Sequence, residues 1–548
     1  MTGATARPRK ERKRIASKPP AKVVGTRTRG GISPHAALAG LLVLAAIVFC
    51  RSLGNGFVFD DVDQILNNRY LGEWSFIWKS MVNNALWFRD PGSPPALSYY
   101  RPFQNVWFAL NFHLFGLNAA GWHAAQVGVH LIVIWLVFRV ASILTGDRWK
   151  GLMAAGLFAL MPIRAEAVVC VFAIGTPLSA AFELAAFDFY LRAGASERRR
   201  MISLLLFGLA LLSHDCAIVF PALVAAHALL LGKSGTERPL LQKSSAIAGV
   251  KGAVAAAWPY AIEAAVYLIV RVWVLGFLSR PNPSNPPMSA LDIALTIPAA
   301  LAAYLKLLAM PWTAGPAHRL VLVDSAASLG FYLPLLLLIA ILGAGIFLLR
   351  EHPHRRLYLF CVAWFMIALA PLLDLDALFF PVAIQDRYLY VAAFGFCLLA
   401  ADLAVDFARG APARANAVWL GAAAVAIVFA GLLYHAEGYW QNEVAMFARC
   451  VDDDPDAVFC HDRLGMALES FGNHQAARYQ VAAAVELAPE NGMYRYDLGV
   501  VDQALGDRRA AAREMAAGLA MLGSPPAAYY ARLAIVADSA GDRATAED

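Results

Sequence analysis

The 548-residue chain is 59% hydrophobic and only 16% charged, with a mean hydropathy of +0.54. A soluble globular protein carries roughly 45–50% apolar and about 25% charged residues, so the composition excludes that class. The formal charge of +6 is unevenly spread: residues 1–35 hold ten Lys/Arg against one Glu, and residues 436–548 hold nine Arg against eighteen Asp/Glu.

The basic start abuts a hydrophobic block, and the acidic end would repel phosphate, so no nucleic-acid partner is expected. Residues 1–35 read as a disordered cytoplasmic flank. Arg51-Ser52-Leu53 stands where a small-residue cleavage site would follow the first apolar block, which makes that block an uncleaved anchor. The seven cysteines fit no metal-ligand spacing. Cys170 with Cys216, or Cys450 with Cys460, are the pairs able to bond outside the cytoplasm.

Crossing about 30 Å of hydrocarbon takes roughly 20 apolar residues. In chain order, eleven spans are predicted near 36–53, 120–144, 149–163, 177–193, 199–213, 217–232, 253–276, 329–349, 357–374, 388–406 and 417–434. With the N-terminus in the cytoplasm, the inner connections 146–150, 197–200, 233–251, 350–356 and 407–414 are all rich in Lys/Arg, as the positive-inside rule requires. A further apolar stretch, 291–310, would invert this phase, and is predicted to dip in without crossing or to pack against the bundle. Loops 54–119, 164–176, 214–216, 277–328 and 375–387 then share the outer face with the C-terminal domain. The expected fold class is all-α: a polytopic membrane helical bundle over 36–435, then a helical solenoid over 436–548. Low Lys and high Ala/Arg usage suggests a bacterial inner membrane, with the solenoid periplasmic.

In the solenoid, Pro455 and Pro489, Leu464-Gly465 and Leu498-Gly499, and Gly472 and Gly506 each recur 34 residues apart. Ala476, Ala483 and Ala510 supply small residues in the second helix of each unit, and a partial third unit runs through Leu533 and Gly541. This pattern looks like tetratricopeptide (TPR) repeats, whose paired helices pack through small residues and bury their faces by stacking. Such a domain either recruits a protein partner or caps the membrane module.

The outer loops hold the unusual polar residues. The first reads Phe57-Val58-Phe59-Asp60-Asp61-Val62-Asp63, then Tyr99-Tyr100-Arg101-Pro102-Phe103, and later Gly121-Trp122-His123. Met161-Pro162-Ile163-Arg164-Ala165-Glu166, Leu211-Leu212-Ser213-His214-Asp215 and Gln385-Asp386-Arg387-Tyr388 follow. This order, ending in the repeats, resembles the TMTC family of transmembrane and TPR-containing glycosyltransferases and their bacterial relatives. The resemblance implies a C-type glycosyltransferase (GT-C) fold that transfers a sugar from a polyprenyl-phosphate carrier to an acceptor protein or glycan, on the periplasmic or lumenal side, using an acidic residue of the first outer loop.

The chemistry needs a carboxylate to take the acceptor hydroxyl's proton and cations to stabilise the leaving phosphate. Asp60 and Asp61 are the candidate bases, or else caps of a short helix starting near Val62. Arg101 and Arg387 are candidates for the carrier phosphate, or else interfacial side chains. Glu166, His214, Asp215 and Asp386 complete the candidate substrate-binding set. No cofactor is named, and a divalent metal is left open. His123 and His130 read as membrane-core packing rather than metal ligands. The chain departs from its relatives at Met161-Pro162 for His-Pro, at Ile174-Gly175-Thr176-Pro177 for a basic–acidic pair, and at Ser213-His214-Asp215 for Ser-Lys-Glu. These changes remove fixed positive charge, which His214 restores only when protonated. The alternative function is therefore a non-catalytic membrane-anchored TPR scaffold or assembly factor.

Overall fold

The computed structural model describes residues 32–548 except 92–98, 233–242, 283, 284, 286, 381, 524, 543, 544, 547 and 548. Most of the predicted basic tail, and part of the connection at 233–251, lie outside the described residues.

Among the described residues, nine helices are long and apolar enough to cross a membrane, and Arg148–Leu160 with Pro162–Val169 forms a further pair bent by 66°. The chain is an integral membrane protein. The bend has a local cause. Pro162 lacks an N–H and drives the residue before it out of helical geometry, and Met161 indeed sits at φ −61°, ψ 127°.

The prediction of eleven spans differs from this at three places. Glu197–Ser213 and Phe220–Leu230 are helices of 17 and 11 residues, short of the roughly 20 that a full crossing needs. Ala290–Ala309 is long enough. Yet Asn282 before it and Pro316 after it line one and the same cavity, so both its flanks lie at one end of the bundle.

Small residues let the helices approach closely. A side chain at Gly395 would meet the Cys361 carbonyl oxygen at 2.3 Å, and one at Gly151 would meet the Phe138 carbonyl oxygen at 2.7 Å. At one end of the bundle the connections 146–150, 350–356 and 407–414 converge on a buried ion cluster. Lys150 Nζ lies 2.6 Å from Asp402 and 2.7 Å from Asp406. His354 Nδ1 is 2.7 Å from Asp402, whose carboxylate also accepts the Tyr358 hydroxyl.

The last apolar helix, Pro412–Glu437, passes through a short turn into Glu443–Asp453 and then into helical hairpins. Val458–Ser470 with His474–Leu487, and Gly492–Ala504 with Arg508–Met521, repeat at the predicted spacing. Ala527–Ala540 follows. A Cβ at Gly465 would collide with Val481 at 2.3 Å, and one at the equivalent Gly499 with Met515 at 2.7 Å. Gly472, Gly506 and Gly541 have φ of +79°, +86° and +76°, the left-handed turn geometry that glycine adopts freely. Cys450 and Cys460 form a disulfide, whereas Cys170 and Cys216 are free.

Candidate active site

At the end of the bundle opposite the Lys150 cluster, one cavity of about 550 Å³ opens between the membrane module and the first repeat helices. Asp60, Arg101, Glu166, His214 and Arg387 line it; so do Arg89, Tyr99, Phe172, Phe447, Phe459 and Arg463. Five segments far apart in sequence thus meet at one place.

The two adjacent aspartates have opposite surroundings. Asp61 is fully buried. It accepts the Phe172 N–H at 2.6 Å on one oxygen and the Val58 N–H at 3.1 Å on the other. Burial pushes its carboxyl up to about 8, against the backbone donors Val58, Phe172 and Val171 that favour its charge. Asp60 points into the cavity with 38% of its side chain accessible, 3.8 Å from Arg89. Burial raises its pKa too, and Arg89 and Arg387 offset part of that. The expected capping role fails for both. The short helical turn Val62–Leu66 is a wide π turn, and Asp61 at its N-cap makes no side-chain bond to it.

The residue that separates the two environments is Phe59, which has φ +52°. A bulky residue in this region is a genuine outlier that costs on the order of 1–3 kcal/mol and persists only when its surroundings hold it. Its ring meets Phe172 of the membrane module and Phe447 and Phe459 of the repeat side edge-on, with centroids 5.8–6.3 Å apart. Its N–H donates to Glu443 Oε1 at 3.1 Å. That bond is the last rung of a ladder between the exits of the first and last apolar helices. Arg51 donates to the Tyr434 carbonyl at 2.6 Å, Asn55 to the Glu437 carbonyl at 3.5 Å, and the Gly56 N–H to the Gln441 carbonyl at 3.3 Å.

Arg387 forms an ion pair with buried Glu166, which also accepts the Arg387 backbone N–H at 2.8 Å. The guanidinium lies over the Phe172 ring, 5.2 Å from its centroid. Arg101 reaches Asp215 Oδ1 through Nε and Nη2 at 3.2 and 3.1 Å, and packs 4.7 Å from the Tyr99 ring centroid. Asp215 lies behind Arg101 rather than on the cavity wall. Burial opposes its charge, but Arg101 and Arg271 hold its pKa below the usual carboxylate range.

Two further expected roles change besides that of Asp215. His214 lines the cavity, but burial and the neighbouring Arg101 push its pKa down to about 3, so it is neutral and does not replace the missing cation. Asp386 does not reach the cavity. Its carboxylate accepts the Gly315 N–H at 2.9 Å and pairs with His318 Nε2 at 2.8 Å, which fastens the 311–318 segment beside Arg387. Burial disfavours the charged His318 ring, and Asp386 more than offsets this, raising its pKa.

His214, Asp215 and Cys216 bring one ligand atom each within 4.8 Å of one another. The Arg101 and Arg271 guanidinia beside Asp215 oppose a divalent cation there. His123 and His130 bond the Gly56 carbonyl and the Tyr390 hydroxyl, in keeping with core packing. The residues that the sequence alone did not single out are Arg89, Phe172, Glu443, Phe447, Phe459 and Arg463. Arg89, in an aromatic run of the first outer loop, carried the only local signal.

No protein-family model matches the chain. It is 26% identical over 483 residues to protein O-mannosyl-transferase TMTC3 of Mus musculus, across 82% of this chain and 51% of that one. It is 25% identical to protein O-mannosyl-transferase TMTC4 of Homo sapiens, across 79% of this chain and 64% of that one. Among solved structures, ArnT from Cupriavidus metallidurans, bound to undecaprenyl phosphate, is similar at 15% identity and a TM-score of 0.35, covering 87% of this chain and 79% of that chain. The chain spans about half the length of the first of these relatives. Over most of its own length it is similar to the TMTC-type protein O-mannosyltransferases.

Proposed function

We propose that the chain is a membrane glycosyltransferase of GT-C type, which moves a sugar from a polyprenyl-phosphate carrier to a hydroxyl of a protein or glycan acceptor. The observation that carries this reading is the single cavity joining Asp60 to Arg101 and Arg387. In the reaction the acceptor hydroxyl attacks the anomeric carbon and its proton passes to the Asp60 carboxylate. The bond from the anomeric carbon to the carrier phosphate breaks, and the phosphate leaves with its charge stabilised by Arg101 and Arg387. Tyr99 packs against the Arg101 guanidinium and Phe172 against that of Arg387, so each arginine is held by an aromatic face. Arg89 beside Asp60 favours the ionised carboxylate that a base requires.

The relatives' names, protein O-mannosyl-transferases, support a protein acceptor. Two further observations support an outer-face site. The Lys/Arg-rich connections 146–150, 350–356 and 407–414 gather at the end remote from the cavity, which favours a cytoplasmic assignment for that end. The Cys450–Cys460 disulfide lies on the cavity wall, as suits an oxidising outer compartment such as the periplasm. The helix Ala290–Ala309, with both flanks at the cavity end, then dips in without changing the phase.

A scaffold reading draws on one observation. Each cavity arginine already has a carboxylate partner, Glu166 for Arg387 and Asp215 for Arg101, so little uncompensated charge awaits a phosphate. The test is sugar transfer from a mannosyl polyprenyl phosphate by the purified chain and its Asp60→Asn variant. Transfer lost only in the variant supports the enzyme. Equal transfer by both removes Asp60, and no transfer by either leaves the scaffold.

A further inference from the structure

The relation between Phe59 and Glu443 goes beyond a cavity wall. Asp60 is fixed by its backbone, and the residue before it stands in the left-handed region. Four attachments hold that turn. From the membrane side, Asp61 binds the Val58 and Phe172 N–H groups, and the Val62 N–H closes on the Phe59 carbonyl at 3.1 Å. From the repeat side, Phe447 and Phe459 pack on the Phe59 ring, and Glu443 takes the Phe59 N–H. Glu443 is the first residue of its helix, where the helix dipole favours a negative charge. A charged acceptor gives the stronger bond to an amide.

We propose that Glu443 is a positioning residue: by accepting the Phe59 N–H it holds Phe59 in the left-handed conformation and so aims Asp60 into the cavity, making the helix that leads into the repeats a structural part of the transfer site. The inference rests on the transferase reading for its kinetic consequences, but its geometric content stands apart from it. A turn with a phenylalanine at positive φ relaxes to φ < 0 once its restraint is removed, because only glycine occupies both regions equally. Relaxation rotates the peptide between Phe59 and Asp60 and moves the carboxylate away from Arg89. A displacement of about 1 Å in a reacting group costs up to roughly 100-fold in rate.

The test has two readouts on the full-length protein in detergent. In hydrogen exchange, Glu443→Ala should raise the exchange rate of the peptide containing the Phe59 amide about 10-fold or more, the loss of one held bond, while Glu443→Gln, which keeps a side-chain oxygen, should preserve most protection. In transfer assays, Glu443→Ala should lower kcat by about 10- to 100-fold with donor KM little changed, and Glu443→Gln should recover most of it. Phe59→Gly makes positive φ free of strain, so in that background Glu443→Ala should cost only about threefold, a coupling that a general loss of stability does not produce. Unchanged exchange in Glu443→Ala, or equal penalties in the Phe59 and Gly backgrounds, overturns the proposal. If the unmodified chain transfers no sugar, the transferase reading falls while the exchange experiment still decides the positioning claim.

Discussion

Asp61 Oδ1 accepts the backbone N–H of Phe172 at 2.6 Å, and this bond ties the first outer loop to the floor of the cavity while its neighbour Asp60 is left facing the open space. Two adjacent aspartates therefore have separable surroundings, one holding the loop and the other free to take the acceptor's proton in the proposed reaction. Asp60→Asn should abolish detectable transfer, a loss on the order of 10²–10⁴ in rate, with an unchanged thermal transition. Asp61→Asn should do the reverse in part. Asparagine offers only one oxygen, so its amide NH₂ faces either Val58 or Phe172, and leaving one buried donor unsatisfied costs about 1–3 kcal/mol. Differential scanning of the two purified variants beside their transfer rates checks both statements. A destabilised Asp60→Asn with a stable Asp61→Asn would reverse the assignment.

Asp61 also sets a pH dependence. Its carboxyl is raised from 3.8 to about 8 in the folded chain, so between those values the native state binds a proton that the unfolded chain has released. Its contribution to stability is present at low pH and declines as pH rises through that window. The thermal transition of wild type should therefore fall more steeply from pH 4 to pH 8 than that of Asp61→Asn.

The arginines should differ in the kind of lesion they give. Arg387→Ala leaves Glu166 buried without its partner, which destabilises a protein by about 3–5 kcal/mol, so the amount of folded protein should drop. A second change, Glu166→Gln, should restore part of it. Arg101→Lys keeps a charge beside Asp215 but loses the guanidinium fork. It should raise the KM for the polyprenyl-phosphate donor by about 10-fold, the effect of losing roughly 1.4 kcal/mol of binding, without a change in melting.

In the repeats, Gly499→Ala should be among the most damaging small substitutions. A methyl there would stand 2.8 Å from the Ala511 carbonyl and 2.7 Å from the Met515 side chain, and overpacking of this kind costs about 1–3 kcal/mol. The exposed turn residue Gly506 meets nothing within 4 Å but has φ +86°, so Gly506→Ala should cost about 1 kcal/mol through backbone strain alone. Urea unfolding of the full chain, followed by circular dichroism, ranks the two.

Removing residues from 437 onward should leave the membrane helices inserted, since each satisfies its own backbone bonds. Transfer should nonetheless vanish for every acceptor, because Phe447, Phe459 and Arg463 form one wall of the cavity. Retained turnover of the lipid donor by the truncated chain would show that this wall serves the acceptor alone.

The membrane class and the repeats were legible because each rests on a periodic signal: long apolar runs in one case, and Gly465 and Gly499 recurring where helices touch in the other. The order of outer-loop motifs also brought Asp60, Arg101, Glu166 and Arg387 to notice. What the sequence hid was decided across distance or by backbone shape. Nothing local distinguishes Asp60 from Asp61, since the difference comes from the positive φ of Phe59. His214 reads as a titrating residue until its burial beside Arg101 is known. Asp386 reads as a ligand until the 311–318 segment folds over it. Phe447 and Phe459 carry no local signal, because their partner Phe59 lies roughly 400 residues earlier. The two short helices after residue 196 were counted as spans because hydropathy does not register where the turn at Asp215–Val219 interrupts them.

The ladder from Arg51 to Glu443 has a further consequence, for biogenesis. The Phe59–Glu443 partners are separated by 384 positions, so nearly the whole membrane module must be synthesised and threaded before the Asp60 turn can close. Contacts of such long range form late, because the entropy of bringing distant segments together comes before their reward. A ribosome-bound or prematurely terminated chain thus carries the aspartates and the arginines without an assembled cavity, and the Asp60 turn takes shape only when the last apolar helix delivers its C-terminal end to the first.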